Sequence, residues 1–203
     1  MLLSEKNIAG GSERFIEIED GLCILSIKND SDHEECITHH IGADFIQFHF
    51  CVKGEIKFNF NEGRYALNIK EDSSLLLYNP ERDLPINLEA SSESWSVSIL
   101  ISIKKLHTLF SAEANYIDFL TEDNRDKKYY KEVAVSPAMA VILSQILNFN
   151  LHPSVRKIYL KGKAYELIGL YFNRPAEADI EQCPFLDDED NVKKIKLAKS
   201  IIL

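Results

Sequence analysis

Apolar and polar residues alternate most regularly between residues 44 and 80. Phe48 and Phe50 alternate there with Gln47 and His49, which is the period-2 pattern of a strand that buries one face. Short breaks separate several such runs, and this predicts an antiparallel meander joined by tight turns. A meander of this length must curl or close to bury its aromatic face, so the segment predicts a small antiparallel β-barrel.

Glycine and proline mark the ends of these runs. Lys53-Gly54 predicts a hairpin turn between the first two runs, and Asn61-Glu62-Gly63 predicts the next turn. Pro80 ends the last strand of the segment, because proline has no N–H to donate to a ladder. Further strands are predicted over residues 22–27, 84–88 and 95–103.

After residue 103 the apolar spacing becomes helical. Ser102 predicts an N-cap for a short helix, and Ser136-Pro137 is a strong start signal for a longer one. His152-Pro153 ends that helix and begins another, so the short link predicts an antiparallel helical hairpin. The charged stretch at residues 121–132, which contains Tyr129-Tyr130, predicts a solvated loop or a frayed helix.

The second helix of the hairpin carries two glycines on one face. Gly162 and Gly169 lie two turns apart, and Ile158 and Tyr165 share their face. Each glycine costs about 1 kcal/mol relative to alanine inside a helix. The glycines are either tolerated on an open surface or permit the close approach of another helix. The pattern favours the second interpretation and predicts a homodimer.

The pattern divides the chain into four parts. Residues 1–103 are expected to form the barrel, and residues 104–174 a helical segment with the dimerisation hairpin. Residues 175–186 are expected to be a linker. Residues 187–203 begin with acidic residues and continue with lysines, the charge order that suits a helix dipole. No stop signal precedes Leu203, which predicts the first helix of a truncated further domain.

Composition narrows the classes of function. The 203 residues carry a net charge of −9, which argues against nucleic-acid binding by these residues, since phosphate binding relies on clustered Lys and Arg. No apolar run approaches the roughly 20 residues that span a bilayer, so no membrane partner is expected. The start lacks a secretory signal pattern, and the four cysteines are scattered. A cytoplasmic location with reduced thiols is therefore expected.

Six segments follow one another in a specific order: FIQFHFCVKGEIKFNF, LLLYNP, ISIKKLHTLF, SPAMAVILSQILN, YLKGKAYELIGLYF and DDEDNVKKIKLAKSIIL. In these segments the chain resembles the AraC/XylS family of bacterial transcription regulators, specifically members with a cupin-like regulatory half. The resemblance implies an α+β fold, with a small antiparallel cupin-like β-barrel followed by an antiparallel helical hairpin. It also implies a domain that binds a small-molecule effector, dimerises, or does both. DNA would be contacted only through a C-terminal domain with two helix-turn-helix units, which this chain lacks.

A cavity inside the barrel is the candidate binding site, because a small barrel either fills its interior or leaves room for one ligand. Five aromatic residues are expected to line it, with three polar residues as handles. The aromatic residues are Phe48, Phe50, Phe58, Phe60 and Trp95, and the handles are Gln47, His49 and Tyr78. The alternative is that these side chains simply fill the core, and the sequence leaves both interpretations open.

A metal-dependent cupin enzyme is the alternative function. Such enzymes place two histidines two residues apart on one strand, whereas here Phe48 and Phe50 flank a single histidine, His49. We therefore expect neither catalysis, nor a cofactor, nor a metal. A ligand-free dimerisation module is the other alternative. A further group of possible metal ligands is more consistent with a solvated loop; its members are His33, Cys36, His39 and His40.

Overall fold

The computed structural model describes residues 3–8, 11–61, 63–110 and 128–173, the first of these ranges by its backbone alone. The chain divides into two compact units, Met1–Phe172 and Asn173–Leu203. The predicted linker and final helix at residues 175–203 lie outside the described residues and remain predictions.

Strands dominate the described part of the chain. They are β1 (Leu3–Ile8), β2 (Gly11–Glu19), β3 (Leu22–Asn29), β4 (Glu35–His39), β5 (Phe45–Lys53), β6 (Glu55–Phe60), β7 (Tyr65–Lys70), β8 (Ser73–Tyr78), β9 (Ile86–Ala90), β10 (Ser94–Ser102) and β11 (Tyr129–Ala134). The helices are α1 (Ile103–Leu109), α2 (Pro137–Leu147) and α3 (Pro153–Phe172). The α+β fold class is therefore confirmed.

The strands form two antiparallel sheets. The first has the order β1-β2-β3-β10-β5-β8-β11 and the second has the order β4-β9-β6-β7. One apolar cluster, the inter-sheet core, contains residues such as Leu25, Phe58 and Leu88 from facing strands. A second cluster, the helix-side core, joins the other face of the first sheet to the helices. The result is a cupin-like barrel with a helical hairpin packed on one wall.

Strand β5 is buried on both faces. Phe48 and His49 are adjacent and point to opposite faces, yet they are only 1% and 0% exposed. The prediction of one buried face was wrong, because one face meets the second sheet and the other meets α3. The rings of Phe48 and Tyr171 pack edge to face with centroids 5.0 Å apart.

Gly54 does not form the predicted hairpin. Strand β5 pairs with β10 and β8, whereas β6 pairs with β7 and β9, so the chain changes sheet at this residue. Gly54 has φ of +72°, and an added Cβ would lie 3.0 Å from the Cβ of Ser94. Its carbonyl accepts from the N–H of Glu71 at 2.9 Å, where the chain returns to the first sheet. The predicted hairpin at Gly54 is therefore a barrel corner, whereas β6 and β7 pair antiparallel as the meander predicts.

The helical hairpin has the predicted start and stripe. Ser136 caps α2, and its side chain accepts from the N–H of Met139 at 3.3 Å. The buried residues of α3 are Leu160, Ala164, Leu167, Ile168 and Tyr171, which recur at helical spacing and face the first sheet and α2.

Strand β11 was predicted as a loop or frayed helix. It pairs antiparallel with β8, with Tyr130 opposite Leu77. As an edge strand it is mostly exposed and gives little apolar alternation. The available edge of β8, rather than local periodicity, determines its conformation.

Candidate functional site

A pocket of about 270 Å³ lies beside β7, β8 and β11; we call it the edge pocket. Its walls are largely aromatic and leucine side chains, with two polar residues, Asn79 and Lys128, at its surface. The aromatic residues are Phe60, Tyr65, Tyr78, Tyr129 and Tyr130, and the leucines are Leu67, Leu77 and Leu84. Such a wall suits a mainly apolar molecule with one polar group.

Lys128, the charged residue of the edge pocket, forms an ion pair with the segment that follows β8. The ammonium of Lys128 lies 2.9 Å from the carboxylate of Glu81. This hydrogen bond holds the pKa of the Glu81 carboxyl below its usual value. Burial, together with the nearby Glu132, raises the pKa of Tyr130, so its phenol stays protonated at neutral pH. The pocket therefore presents a paired cation and the neutral phenol of Tyr130.

Two of the eight predicted ligand-binding residues, Phe60 and Tyr78, line the edge pocket. The alternation on β5 separates several of the others, because it sends Phe48 and Phe50 into the helix-side core. These eight residues therefore lie on both faces of the first sheet, and their ligand-binding role remains a prediction. Gln47, His49 and Phe58 lie between the sheets, and Trp95 packs against the helix-side core.

His49 is fully buried and uses both ring nitrogens. Its Nδ1 lies 2.7 Å from the Ser98 hydroxyl, and its Nε2 lies 3.0 Å from the Gln47 side-chain oxygen. Burial lowers the pKa of His49 to about 3, so the ring is neutral at physiological pH. The ring also packs on Phe58, with centroids 4.3 Å apart. His49 is thus a satisfied core histidine.

Cys51 shares the face of His49 but forms no dyad with it. The thiol donates to the carbonyls of Lys53 and Gly54 at 3.5 and 3.4 Å. Burial and the neighbouring Glu71 raise the pKa of this thiol to about 12. Cys51 therefore stays protonated and behaves as a small apolar residue.

Trp95 lies away from the edge pocket. Its indole N–H donates to Asp30 at 2.6 Å, and the ammonium groups of Lys28 and Lys53 lie 4.6 and 5.4 Å from its ring centroid. These partners explain why Trp95 remains partly exposed at the start of β10.

The histidines of the polar segment are paired with different carboxylates. His39 Nε2 lies 2.8 Å from Glu13, and His40 Nε2 lies 3.2 Å from Asp83. His33 contacts Asp32 and Glu35. Within residues 11–61, 63–110 and 128–173, no three His, Cys, Asp or Glu side chains converge as a metal site would require.

Comparison with protein families identifies the family of the chain. Residues 10–182 match the family described as the regulatory protein PchR N-terminal domain. The chain belongs to this family. Its role is that of the regulatory N-terminal domain of an AraC-type regulator, and the resemblance seen in the sequence is confirmed.

Solved structures give more distant similarities to this PchR-type domain. ToxT from Vibrio cholerae O395 is 18% identical, with 90% of this chain and 64% of that chain covered and a TM-score of 0.40. An HTH_3 family regulator from Vibrio cholerae is 16% identical, with 45% and 51% covered and a TM-score of 0.34. The Cnp3 cupin domain of Schizosaccharomyces pombe is 10% identical, with 51% and 69% covered and a TM-score of 0.36.

The chain thus spans between half and two thirds of the length of the two bacterial regulators. No curated protein sequence matched the chain. None of the helices in the described part of this PchR-type domain combines the length and apolar character that crossing a bilayer requires.

The predicted dimerisation residues lie on α3 of the PchR-type domain. Ile158 is 73% exposed, and a Cβ added at Gly162 or Gly169 would meet no atom within 4 Å. The fourth residue, Tyr165, differs from the other three because its hydroxyl donates to Glu19 on β2. The open face of α3 includes Val155, Ile158, Gly162 and Gly169, a set we call the α3 face, and the exposed Glu166 lies on the same side of the helix.

Proposed function

We propose that this domain senses a small-molecule effector in the edge pocket and transmits binding to a DNA-binding domain of the same regulator. The observation that carries the proposal is the pocket itself, an opening of about 270 Å³ with mainly apolar walls beside the sheets. The net charge of −9 supports DNA contact through a separate domain. Effector binding would shift the population of two states that differ in effector affinity.

We further propose that the domain performs no reaction. The two side chains of the barrel interior that could take part in catalysis are not available for it. His49 uses both ring nitrogens in hydrogen bonds, and Cys51 remains a protonated thiol. A metal-dependent cupin enzyme would require His49 to give up at least one of its two buried hydrogen bonds. Loss of such a hydrogen bond costs about 1–3 kcal/mol for each buried polar group that is left unsatisfied.

Homodimerisation through the α3 face is the second part of the proposal. Its support is the combination of an exposed isoleucine with two glycines that no contact within the described chain explains. Each glycine costs about 1 kcal/mol in helix stability, which close packing against a second α3 would offset. The ligand-free dimerisation module remains the competing function, and the pocket experiment separates the two.

The effector-site proposal is tested by a substitution that fills the edge pocket. Leu67 lines the edge pocket, whereas its neighbour Ala66 is exposed and points to the opposite side of β7. We expect Leu67→Trp to abolish saturable binding of the fluorescent aromatic sulfonate 8-anilinonaphthalene-1-sulfonate, because the indole occupies its space. Ala66→Trp is the matched control and should bind the dye as the unmodified chain does. Equal dye binding by both variants would refute the edge pocket as the effector site.

A further inference from the structure

Leu84 forms part of the edge-pocket wall and is held there through its backbone. Its carbonyl accepts from the side-chain amide of Gln47 at 2.6 Å. Its N–H donates to the carbonyl of Ile41 at 3.2 Å. The side chain can therefore face the pocket while both backbone groups are bound to the barrel.

The hydrogen bond to Leu84 fixes the orientation of two buried side chains. A carbonyl only accepts, so the nitrogen of the Gln47 amide must face Leu84 and its oxygen must face His49. His49 Nε2 consequently carries the proton and donates to that oxygen. Its Nδ1 is then the acceptor, and the Ser98 hydroxyl donates to it. The polar series runs from Ser98 through His49 and Gln47 to the pocket wall.

The members of this series do not reach the pocket. Gln47, His49 and Ser98 are at most 1% exposed, and all of them lie in the barrel interior. Phe58 packs on the His49 ring and restricts its rotation. Breaking any one bond leaves a buried polar group unsatisfied, which strongly favours the complete series.

We propose that His49 and Gln47 are positioning residues that hold the Leu84 wall and thereby set the ligand affinity of the edge pocket without touching the ligand. This inference rests on the proposed effector pocket and adds a structural determinant of its affinity. With the series intact, the wall is preorganised and ligand binding does not have to order it. With the series broken, only a fraction of molecules has the wall in place, and the apparent affinity falls by that fraction.

Two substitutions test the series in the full 203-residue chain. Gln47→Met removes the bond to Leu84 with little change in volume, and Ser98→Ala removes the hydroxyl that donates to His49 Nδ1. The matched control is Ser96→Ala, because Ser96 lies on the same strand, is 1% exposed and has a hydroxyl without a hydrogen-bond partner. We expect the dissociation constant of 8-anilinonaphthalene-1-sulfonate to rise about tenfold in Gln47→Met, to rise less in Ser98→Ala, and to stay unchanged in Ser96→Ala.

Nitrogen-15 NMR of the histidine ring supplies a readout that a purely structural role would not move. The unmodified chain and Ser98→Ala should show His49 protonated on Nε2 alone, because the Gln47 oxygen remains its acceptor, whereas Gln47→Met should show a tautomer mixture. Hydrogen exchange at the Leu84 amide should quicken in both variants. Ser98→Ala keeps the packing of Gln47, so it carries the test alone where Gln47→Met does not fold.

The outcomes separate the two proposals. Unchanged dye affinity in Ser98→Ala and Gln47→Met, together with lost binding in Leu67→Trp, overturns the positioning role and leaves the pocket standing. Unchanged binding in Leu67→Trp overturns the pocket itself. A His49 ring protonated on Nδ1 in the unmodified chain also overturns the series.

Discussion

At the scale of single residues, Glu19 connects three elements. Its carboxylate, at the end of β2, accepts from Lys161 on α3 at 2.6 Å and from the Tyr165 hydroxyl, and it lies 3.1 Å from Lys105 on α1. Burial alone would raise the pKa of Glu19, but the hydrogen bonds from Lys161 and Tyr165 outweigh it and lower the pKa to about 2. The ionised carboxylate therefore stabilises the docking of both helices on the barrel.

Glu19→Gln should lower the free energy of unfolding by about 1–2 kcal/mol at pH 7, because the charge-assisted bonds weaken. The folded pKa is depressed, so this stability is present above the unfolded value of 4.5 and is lost as the pH falls from 4.5 towards 2. Urea denaturation at pH 7, 4.5 and 3 should show that the difference in free energy of unfolding between the unmodified chain and Glu19→Gln becomes smaller as the pH falls. Glu166→Gln is the control: this exposed partner of Lys163 should change stability by less than about 0.5 kcal/mol. A constant difference across these pH values would contradict the assignment.

At the scale of elements, α3 has two opposed roles. Its buried stripe, which includes Leu160 and Leu167, attaches it to the first sheet and α2, while the α3 face remains open. A test of dimerisation must therefore avoid the stripe, because a charge at Leu167 would unfold the protein rather than separate two copies.

Ile158→Arg should convert a dimer to a monomer without lowering thermal stability of the fold, because it places a charge on an exposed position of the proposed seam. Sedimentation velocity over a range of concentrations measures the change. Val141→Arg is the matched control, since Val141 is 58% exposed on α2 and receives the same charge. A dimer that survives Ile158→Arg would place the interface elsewhere.

At the scale of the whole molecule, the first sheet is the middle layer of three. The second sheet covers one face and the helical hairpin covers the other, and β11 returns after α1 to extend the first sheet. The barrel and the hairpin therefore share a core, and both lie within one compact unit. Strand β11 and the helical hairpin, which complete the first sheet and the helix-side core, lie outside the predicted barrel segment of residues 1–103.

A fragment of residues 1–135 should fail to fold cooperatively, whereas residues 1–173 should fold. Removing the hairpin exposes Phe48, Phe50 and Ile99 among others, and each buried side chain of this kind contributes about 1.5–3 kcal/mol. Several such losses approach the total stability of a domain, about 5–15 kcal/mol. Circular dichroism during thermal unfolding compares the two fragments. A sharp transition in the shorter one would show that the barrel is independent of the hairpin.

Local signals predicted the elements with the strongest patterns. Alternation identified β5, β6 and β10, and the Ser136-Pro137 start with helical spacing identified α2 and α3. Strands β4 and β11 were missed, because edge strands bury few residues and their polar composition is typical of loops. For the same reason the sequence places Tyr129 and Tyr130, which line the edge pocket, in a predicted loop or frayed helix.

The sequence by itself determined the periodicities, the helix starts, the acidic charge and the order of segments that indicated an AraC-type regulatory domain, because each depends on neighbours along the chain. Only the tertiary structure decided which sheet each strand joins, since a residue such as Gly54 permits a hairpin and a change of sheet equally well. It also decided the candidate site. Both faces of β5 are covered by distant elements, so Gln47 and His49 became buried partners of the pocket wall rather than its surface.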